Sequence, residues 1–306
     1  MLGFLLRRVL MTIPVILGVA TLVFSLIHLV PGDPAQSMLG ESAAPADVNE
    51  LRARLGLDRP VLTQYVEYLT RAVRGDLGTS FRYGTPVTKE IAARLSRTAQ
   101  LAFAAMAIAI LIAVPLGTIA AVFRGRAIDQ AAMTLSLVGV SLPNFWLGPL
   151  LAMVFAVGLG WLPVSGAGSP AHLVLPAITL GAALAAVLAR LTRTSVIEEL
   201  QELYVVAARA RGLSWLRTVV RHALRNSLVP VVTVIGLQFG AVLTGTIITE
   251  TIFAWPGLGR LLIQAIGYRD YPLVQGCILF IAVTYVGMNL LVDLAYGWLD
   301  PRIRVR

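Results

Sequence analysis

One lysine and one cysteine are all that this chain of 306 residues contains of either type. Lys89 lies outside any Gly-x-x-x-x-Gly-Lys-Ser/Thr pattern, so the chain has no phosphate-cradling loop of the P-loop ATPase kind. Cys277 sits alone in an apolar run, which excludes an intrachain disulfide and leaves no redox or zinc motif. The histidines, His28, His172 and His222, are far apart and lack metal-ligand spacing. Gly257-Leu258-Gly259 lacks the third glycine of a dinucleotide fingerprint and follows no strand pattern. No Ser/His/Asp set, Gly-x-Ser-x-Gly or His-Glu-x-x-His pattern is present, so a membrane enzyme is disfavoured and no catalytic or metal-binding residues are assigned. Charge is also scarce: 13% of residues against about a quarter in soluble domains. With 57% hydrophobic residues and a mean hydropathy of +0.80, the chain reads as an integral membrane protein. Its net charge of +9 then acts as an orientation signal, not a nucleic-acid footprint.

Six apolar runs have spanning length, since about 20 helical residues cross a bilayer core. They are Leu2 to Val30, Leu101 to Phe123, Ala131 to Val157, Val174 to Leu191, Leu228 to Ile248 and Val274 to Trp298. The first is read as an uncleaved span, because Pro31-Gly32-Asp33-Pro34 follows it in place of a small-residue cleavage site. The third contains Ser141, Pro143, Asn144 and Pro149, and proline in a span can kink it. Gly236-x-x-x-Gly240 offers a small-residue face for close helix approach. Ser141, Asn144, Gln238 and Glu250 are the polar candidates for a translocation path or gate. Asp293, near the end of the last span, is expected to pair with an arginine.

Residues 31–97 form the largest polar region, with nine Lys/Arg against eight Asp/Glu. Asp47-x-x-Glu50 reads as a helix-start box, Val61 to Gly75 as an amphipathic helix, and Thr85-Pro86 as a cap followed by an N1 proline. A second polar region, 198–230, reads as helix, turn, helix. Gly212 is placed to end the first arm in a left-handed conformation and Ser214 to cap the second through its hydroxyl. Leu216, Val219, Val220, Ala223 and Leu224 share one helical face, while Arg217, Arg221 and Arg225 form a basic ridge. Such a hairpin needs something to lie against: the inner leaflet, its own bundle, or a soluble partner.

Charge distribution sets the topology. With the amino terminus inside, the short inner segments carry Arg7, Arg8, Arg124, Arg126, Arg193, Arg209, Arg211, Arg217, Arg221, Arg225, Arg302, Arg304 and Arg306. The short outer loops carry only Arg260 and Arg269. The positive-inside rule, counted without the long segment 31–97, therefore places both termini and the 198–230 hairpin in the cytoplasm. Span charges such as Arg190, Glu250 and Asp293 lie near span ends, which argues against a secondary transporter with midplane coupling sites.

Specific strings carry a resemblance. Val206-Ala207-Ala208 with Gly212 resembles the Glu-Ala-Ala-x-x-x-Gly loop of ATP-binding-cassette (ABC) importer permeases, with Val206 in place of the Glu and His222-Ala223-Leu224-Arg225 in place of Ile-x-Leu-Pro. The string Ala-Arg-Ala-Arg-Gly-Leu-Ser, then His-Ala-Leu-Arg-Asn-Ser-Leu-Val-Pro, is similar to the dipeptide/oligopeptide/nickel group. So are Leu-Gly-Leu-Asp-Arg-Pro, Arg-Gly-Asp-Leu-Gly-Thr-Ser-Phe and Thr-Glu-Thr-Ile-Phe-Ala-Trp-Pro-Gly-Leu-Gly-Arg. The resemblance implies an all-α membrane protein of six transmembrane helices in the type I importer permease architecture. It divides into a first transmembrane helix over 1–30, an extracytoplasmic helical segment over 31–97, and a core permease domain over 98–306 with a coupling hairpin at 195–227. It implies coupling to an ATPase through Ala207, Ala208, Arg211, Gly212, Leu213, Trp215 and Arg217. It implies no cofactor in this chain, with ATP and Mg on partner subunits. The implied partners are a homologous second permease, two ABC ATPase subunits, an extracytoplasmic substrate-binding protein and the lipid bilayer of a bacterial inner membrane. Di- and oligopeptides are the expected cargo, with glutathione or chelated nickel as alternatives.

Overall fold

The computed structural model describes residues 2–29, 34–39, 43–54 and 56–299. The chain enters through α1 (Leu2–Leu29), passes through short helices α2 (Pro34–Leu39), α3 (Pro45–Arg54) and α4 (Val61–Val73), and then follows the 36-residue α5 (Val87–Val122). A broken pair comes next, α6 (Ala127–Ser141) and α7 (Asn144–Leu151), the latter widening into a π-helical turn over Ala152–Gly158. The long α8 (Ala171–Glu199) leads to α9 (Leu203–Ala210), and α10 (Trp215–Arg217) runs through a second π-helical turn, Thr218–Ala223, into α11 (Leu224–Gly245). Helices α12 (Ile247–Ile252) and α13 (Leu258–Gly267) precede α14 (Tyr271–Leu299). Among the described residues the only extended pairing is an isolated bridge between Thr79 and Pro86.

Among the described residues, four helical stretches are long and apolar enough to cross a membrane: Val87–Val122, Ala171–Glu199, Trp215–Leu243 and Tyr271–Val292. The broken pair makes a fifth if taken as one span, and Leu10–Ser25 within α1 is a shorter apolar stretch. Several expected boundaries are corrected. The third span is not one helix, because Ala127–Ser141 and Asn144–Gly158 meet at 103°. Pro143 explains the break: it favours extended backbone in Leu142, whose ψ is 115°, and so ends α6. The helix expected to start at Thr85-Pro86 is continuous with the second span, with Pro86 at the N-cap instead of N1 and the Thr85 hydroxyl donating to Glu90 at 2.7 Å. Asp47 lies within the first turn of a helix that already starts at Pro45. The fifth span likewise begins at Trp215 inside the hairpin, not at Leu228. The Asp293 side chain, Pro31 to Asp33 and the tail from 300 lie outside the described residues.

The core is the pair α5 and α8. Ala105, Ala109, Ala113, Gly117 and Ala121 recur at i, i+4 on α5 and are all buried. They face Gly181, Ala185 and Ala189 of α8 in the same spacing. A Cβ added at Gly117 would stand 2.5 Å from the Ala189 carbonyl oxygen, so only small side chains allow the two backbones this close. The expected Gly236/Gly240 face does meet a helix: Cβ atoms there would lie 3.0 Å from Val292 and 3.3 Å from Met288 of α14.

Candidate coupling hairpin and its buried supports

The hairpin is built from α9, the turn 211–214, and α10 with the π-helical turn after it. Gly212 has φ +83°, the left-handed geometry expected of it, and its N–H reaches the Arg209 carbonyl at 2.9 Å. The neighbouring Leu213 N–H closes the turn on Ala208 O at 3.3 Å. The expected hydroxyl cap by Ser214 is absent. Its carbonyl instead accepts from the Thr218 N–H at 2.9 Å and the Thr218 hydroxyl at 3.1 Å. Tyr204 ties the arms together, donating to the Glu199 carboxylate and accepting from Asn226 Nδ2 at 3.0 Å. Partial burial, and then the bond to Glu199, raise the Tyr204 pKa above its ordinary value.

Inside the hairpin lie Val205, Ala208, Thr218, Val219 and Ala223. The apolar face expected as a unit is therefore split: Val219 and Ala223 turn inward, while Leu216 is 73% and Val220 53% exposed. The π-helical turn accounts for this, because its i→i+5 bonding puts more residues in each turn and breaks the i, i+3, i+4 register that the face assumed. Of the expected coupling residues, Ala208 is buried, Leu213 is half-buried, and Ala207, Arg211, Gly212, Trp215 and Arg217 face outward. The ridge residues Arg221 and Arg225 are exposed as well. The Arg209 guanidinium lies 4.9 Å from the centre of the Trp215 ring, joining arm to arm across the turn.

Sequence reasoning missed the support beneath this hairpin. Arg193, on the last turns of α8, grips Asp129 with two bonds, Nε to Oδ1 at 2.6 Å and Nη2 to Oδ2 at 2.7 Å. The same carboxylate accepts the Gly125 N–H at 2.8 Å and is almost wholly enclosed. The ion pair fixes the end of α8, where the hairpin begins, to the start of α6. An acidic residue in the first turn of a helix was the available signal.

A second buried centre surrounds Glu250, which was expected to belong to the path or gate. The structure encloses it completely. One carboxyl oxygen accepts from the Thr98 hydroxyl at 2.7 Å and the Thr246 hydroxyl at 2.9 Å, the other from the Arg260 N–H at 3.1 Å. Its carboxyl group is held by the chain's own hydroxyl and backbone donors. Any side chain on Gly257 would collide with it, a Cβ standing 2.2 Å from Oε1. Trp255 closes the arrangement by donating to Arg97 O at 2.8 Å. Ser141 and Asn144 sit at the α6/α7 break, Ser141 exposed and Asn144 half-buried, and Gln238 is half-buried on α11. No hydrogen bond among the described residues joins these three to Glu250.

A third centre, also missed, is Asp270. It accepts from the Ser80 hydroxyl at 2.5 Å and from the Phe81, Arg82 and Leu273 N–H groups. The polar segment after α4 is thereby clamped to the start of α14.

A long apolar bundle carrying an exposed, glycine-hinged hairpin between two spans is matched by one family over most of its length. The family model for the inner membrane component of binding-protein-dependent transport systems matches residues 113–305, and the companion model for the N-terminal part matches 1–102. The chain belongs to this family. It is a permease subunit of a binding-protein-dependent ABC importer, a class whose ATPase activity resides in partner subunits. The permease is 45% identical over 306 residues, all of both chains, to the glutathione transport system permease protein GsiC of Escherichia coli K12. It is 46% identical, again over the full length of both, to the protein of that name from Pectobacterium atrosepticum. An inward-facing structure of the MetNI methionine ABC transporter superposes with a TM-score of 0.56 at 18% identity, covering 69% of the permease and 96% of that chain. That likeness establishes the fold, the type I importer permease fold. Among the described residues no three His, Cys, Asp or Glu side chains gather as a metal site.

Proposed function

We propose that this permease forms half of the translocation path for short peptides, with glutathione the first substrate to test. The observation that carries this is full-length identity of 45–46% to permeases named for glutathione transport, with no gap in coverage on either chain. Glutathione is itself a tripeptide, so the reading narrows the wider di- and oligopeptide class suggested by the sequence. The second half of the path comes from a homologous permease, and a substrate-binding protein outside the membrane delivers the cargo.

The hairpin is the docking element for an ATPase subunit. Its support is that the 203–225 segment presents Arg211, Gly212, Trp215 and Arg217 outward while its inner face is anchored through Tyr204 and the Asp129–Arg193 pair. The charge distribution supports a cytoplasmic hairpin and cytoplasmic termini, on the side where the partner subunits would hold ATP and Mg. ATP binding biases a two-state equilibrium of the bundle, and the hairpin carries that bias into α8 and α11. Ser141 and Asn144, at the break in the third span, and Gln238 on α11 are the polar groups of this chain proposed to face the path.

The test is uptake of labelled glutathione by cells lacking this gene, with a labelled dipeptide and chelated nickel in parallel. Loss of glutathione uptake that the gene restores, with nickel unchanged, is the expected result. Normal uptake of glutathione and dipeptide, with loss of nickel, would overturn the peptide assignment and leave only the importer class.

A further inference from the structure

A cavity of about 380 Å³ lies where α1 ends, α14 begins and α4 crosses between them. That volume is at the small end of natural ligand sites. Two ion pairs stand in its wall, Arg59 with Glu67 at 3.2 Å and Arg71 with Asp76 at 2.8 Å. Two positive and two negative groups give no net pull on a simple anion or cation, yet each sign is available to a molecule carrying both. Each guanidinium has five N–H donors, so neither is exhausted by its partner. Tyr68 also lines the cavity, with its hydroxyl enclosed by the protein.

Position identifies the ligand class. Helix α1 packs against α14 and α4, and leaves Leu10, Met11, Ile13, Val15, Leu17 and Leu22 exposed. In a membrane these side chains face lipid. Phe24 and His28 reach the cavity from the last turns of α1, and Tyr271 from the first turn of α14. That is the depth at which spans end and aromatic side chains meet headgroups. Beside the cavity, α4 turns Leu62, Val66 and Val73 outward at i, i+4, i+11, an apolar stripe suited to lying in the interface. We infer that the cavity holds the headgroup of a zwitterionic phospholipid, its phosphate on Arg59 and Arg71, its amine on Glu67 and Asp76, and its tails along α1. A free short peptide carries the same two charges but has no use for the apolar surface on either side.

Native mass spectrometry of the full-length chain in mild detergent tests this, titrated with palmitoyl-oleoyl phosphatidylethanolamine, with the phosphatidylglycerol of the same tails, and with dialanine as competitor. One retained phosphatidylethanolamine per chain is expected, bound at least tenfold tighter than phosphatidylglycerol and not displaced by millimolar dialanine. Arg71→Gln should weaken it about tenfold, with Arg74→Gln, one turn along but outside the cavity, unchanged. Equal binding of the two lipids, or equal loss at Arg74→Gln, would overturn the site. Displacement by dialanine would overturn the lipid assignment in favour of a peptide site.

Discussion

The 246–273 segment and the 200–225 hairpin do the same topological work, each joining two long apolar helices, yet they are built in opposite ways. The first is organised around two enclosed carboxyl groups, Glu250 and Asp270, whose oxygens take hydroxyl and backbone N–H donors from distant parts of the chain. The second is held by a few contacts, Tyr204 to Glu199 and Asn226, and Arg209 over Trp215, and leaves its arginines and half of its apolar side chains outside. A segment that saturates its own polar groups is a fixture. A segment that leaves them exposed is finished by something else, and in an importer permease that something is proposed to be the ATPase.

The sharpest way to break this comparison is at Glu250. Glu250→Ala strands two hydroxyls and one N–H in the interior and should cost about 3–5 kcal/mol, seen as a large drop in thermal unfolding midpoint in detergent. Were that variant as stable as the parent, the fixture reading would fail. Asp129→Asn comes next. It breaks a two-bond, nearly buried ion pair, should cost about 3 kcal/mol, and should also uncouple ATP hydrolysis from transport because the hairpin loses its base. Gly212→Val forces a β-branched side chain into a left-handed turn, at about 1–2 kcal/mol. No atom lies within 4 Å of the added Cβ, so the bundle should still fold while transport-linked ATP hydrolysis falls. Intact hydrolysis there would remove the docking assignment. Replacing Arg217, Arg221 and Arg225 together by Gln should move stability by less than about 0.5 kcal/mol for each exposed site. The readout is co-purification with the ATPase. If binding to anionic vesicles falls and ATPase binding does not, the ridge meets lipid.

The smallest effect lies at the opposite end of the bundle. The hydrogen bond from Arg71, and then that from the Gly78 N–H, hold the Asp76 carboxyl below the usual carboxylate range. A folded-state pKa below the unfolded one means the contribution is complete above the ordinary carboxylate pKa and disappears as pH falls through the folded value. Both side chains are about half exposed, so at most about 0.5 kcal/mol is at stake. Amide exchange over 74–80 should quicken in acid, and Asp76→Asn should flatten that response.

Much of the hairpin was legible because glycine geometry and helical spacing are local. Gly212 ends an arm wherever the chain places it, since only a residue without Cβ takes φ +83° without strain. The π-helical turn at Thr218–Ala223 was not legible, because widening a helix depends on what packs beside it. That an acid near a span faces water or a partner was legible at Glu250, but which partner was not: one is Thr98, 152 positions away in the chain.

Composition and periodicity by themselves determined that this chain is a helical membrane protein with a polar segment after its first helix and a polar hairpin between later spans. The hydrophobic effect and backbone hydrogen bonding act on every residue according to its type, so those features can be read without knowing neighbours. Only the tertiary structure decided which carboxyl groups are locked inside, where the third span breaks, and which side of the hairpin is left open. Those depend on pairs such as Asp129 with Arg193 and Ser80 with Asp270, separated by 64 and 190 positions, and no local pattern records which distant donor will reach a buried oxygen.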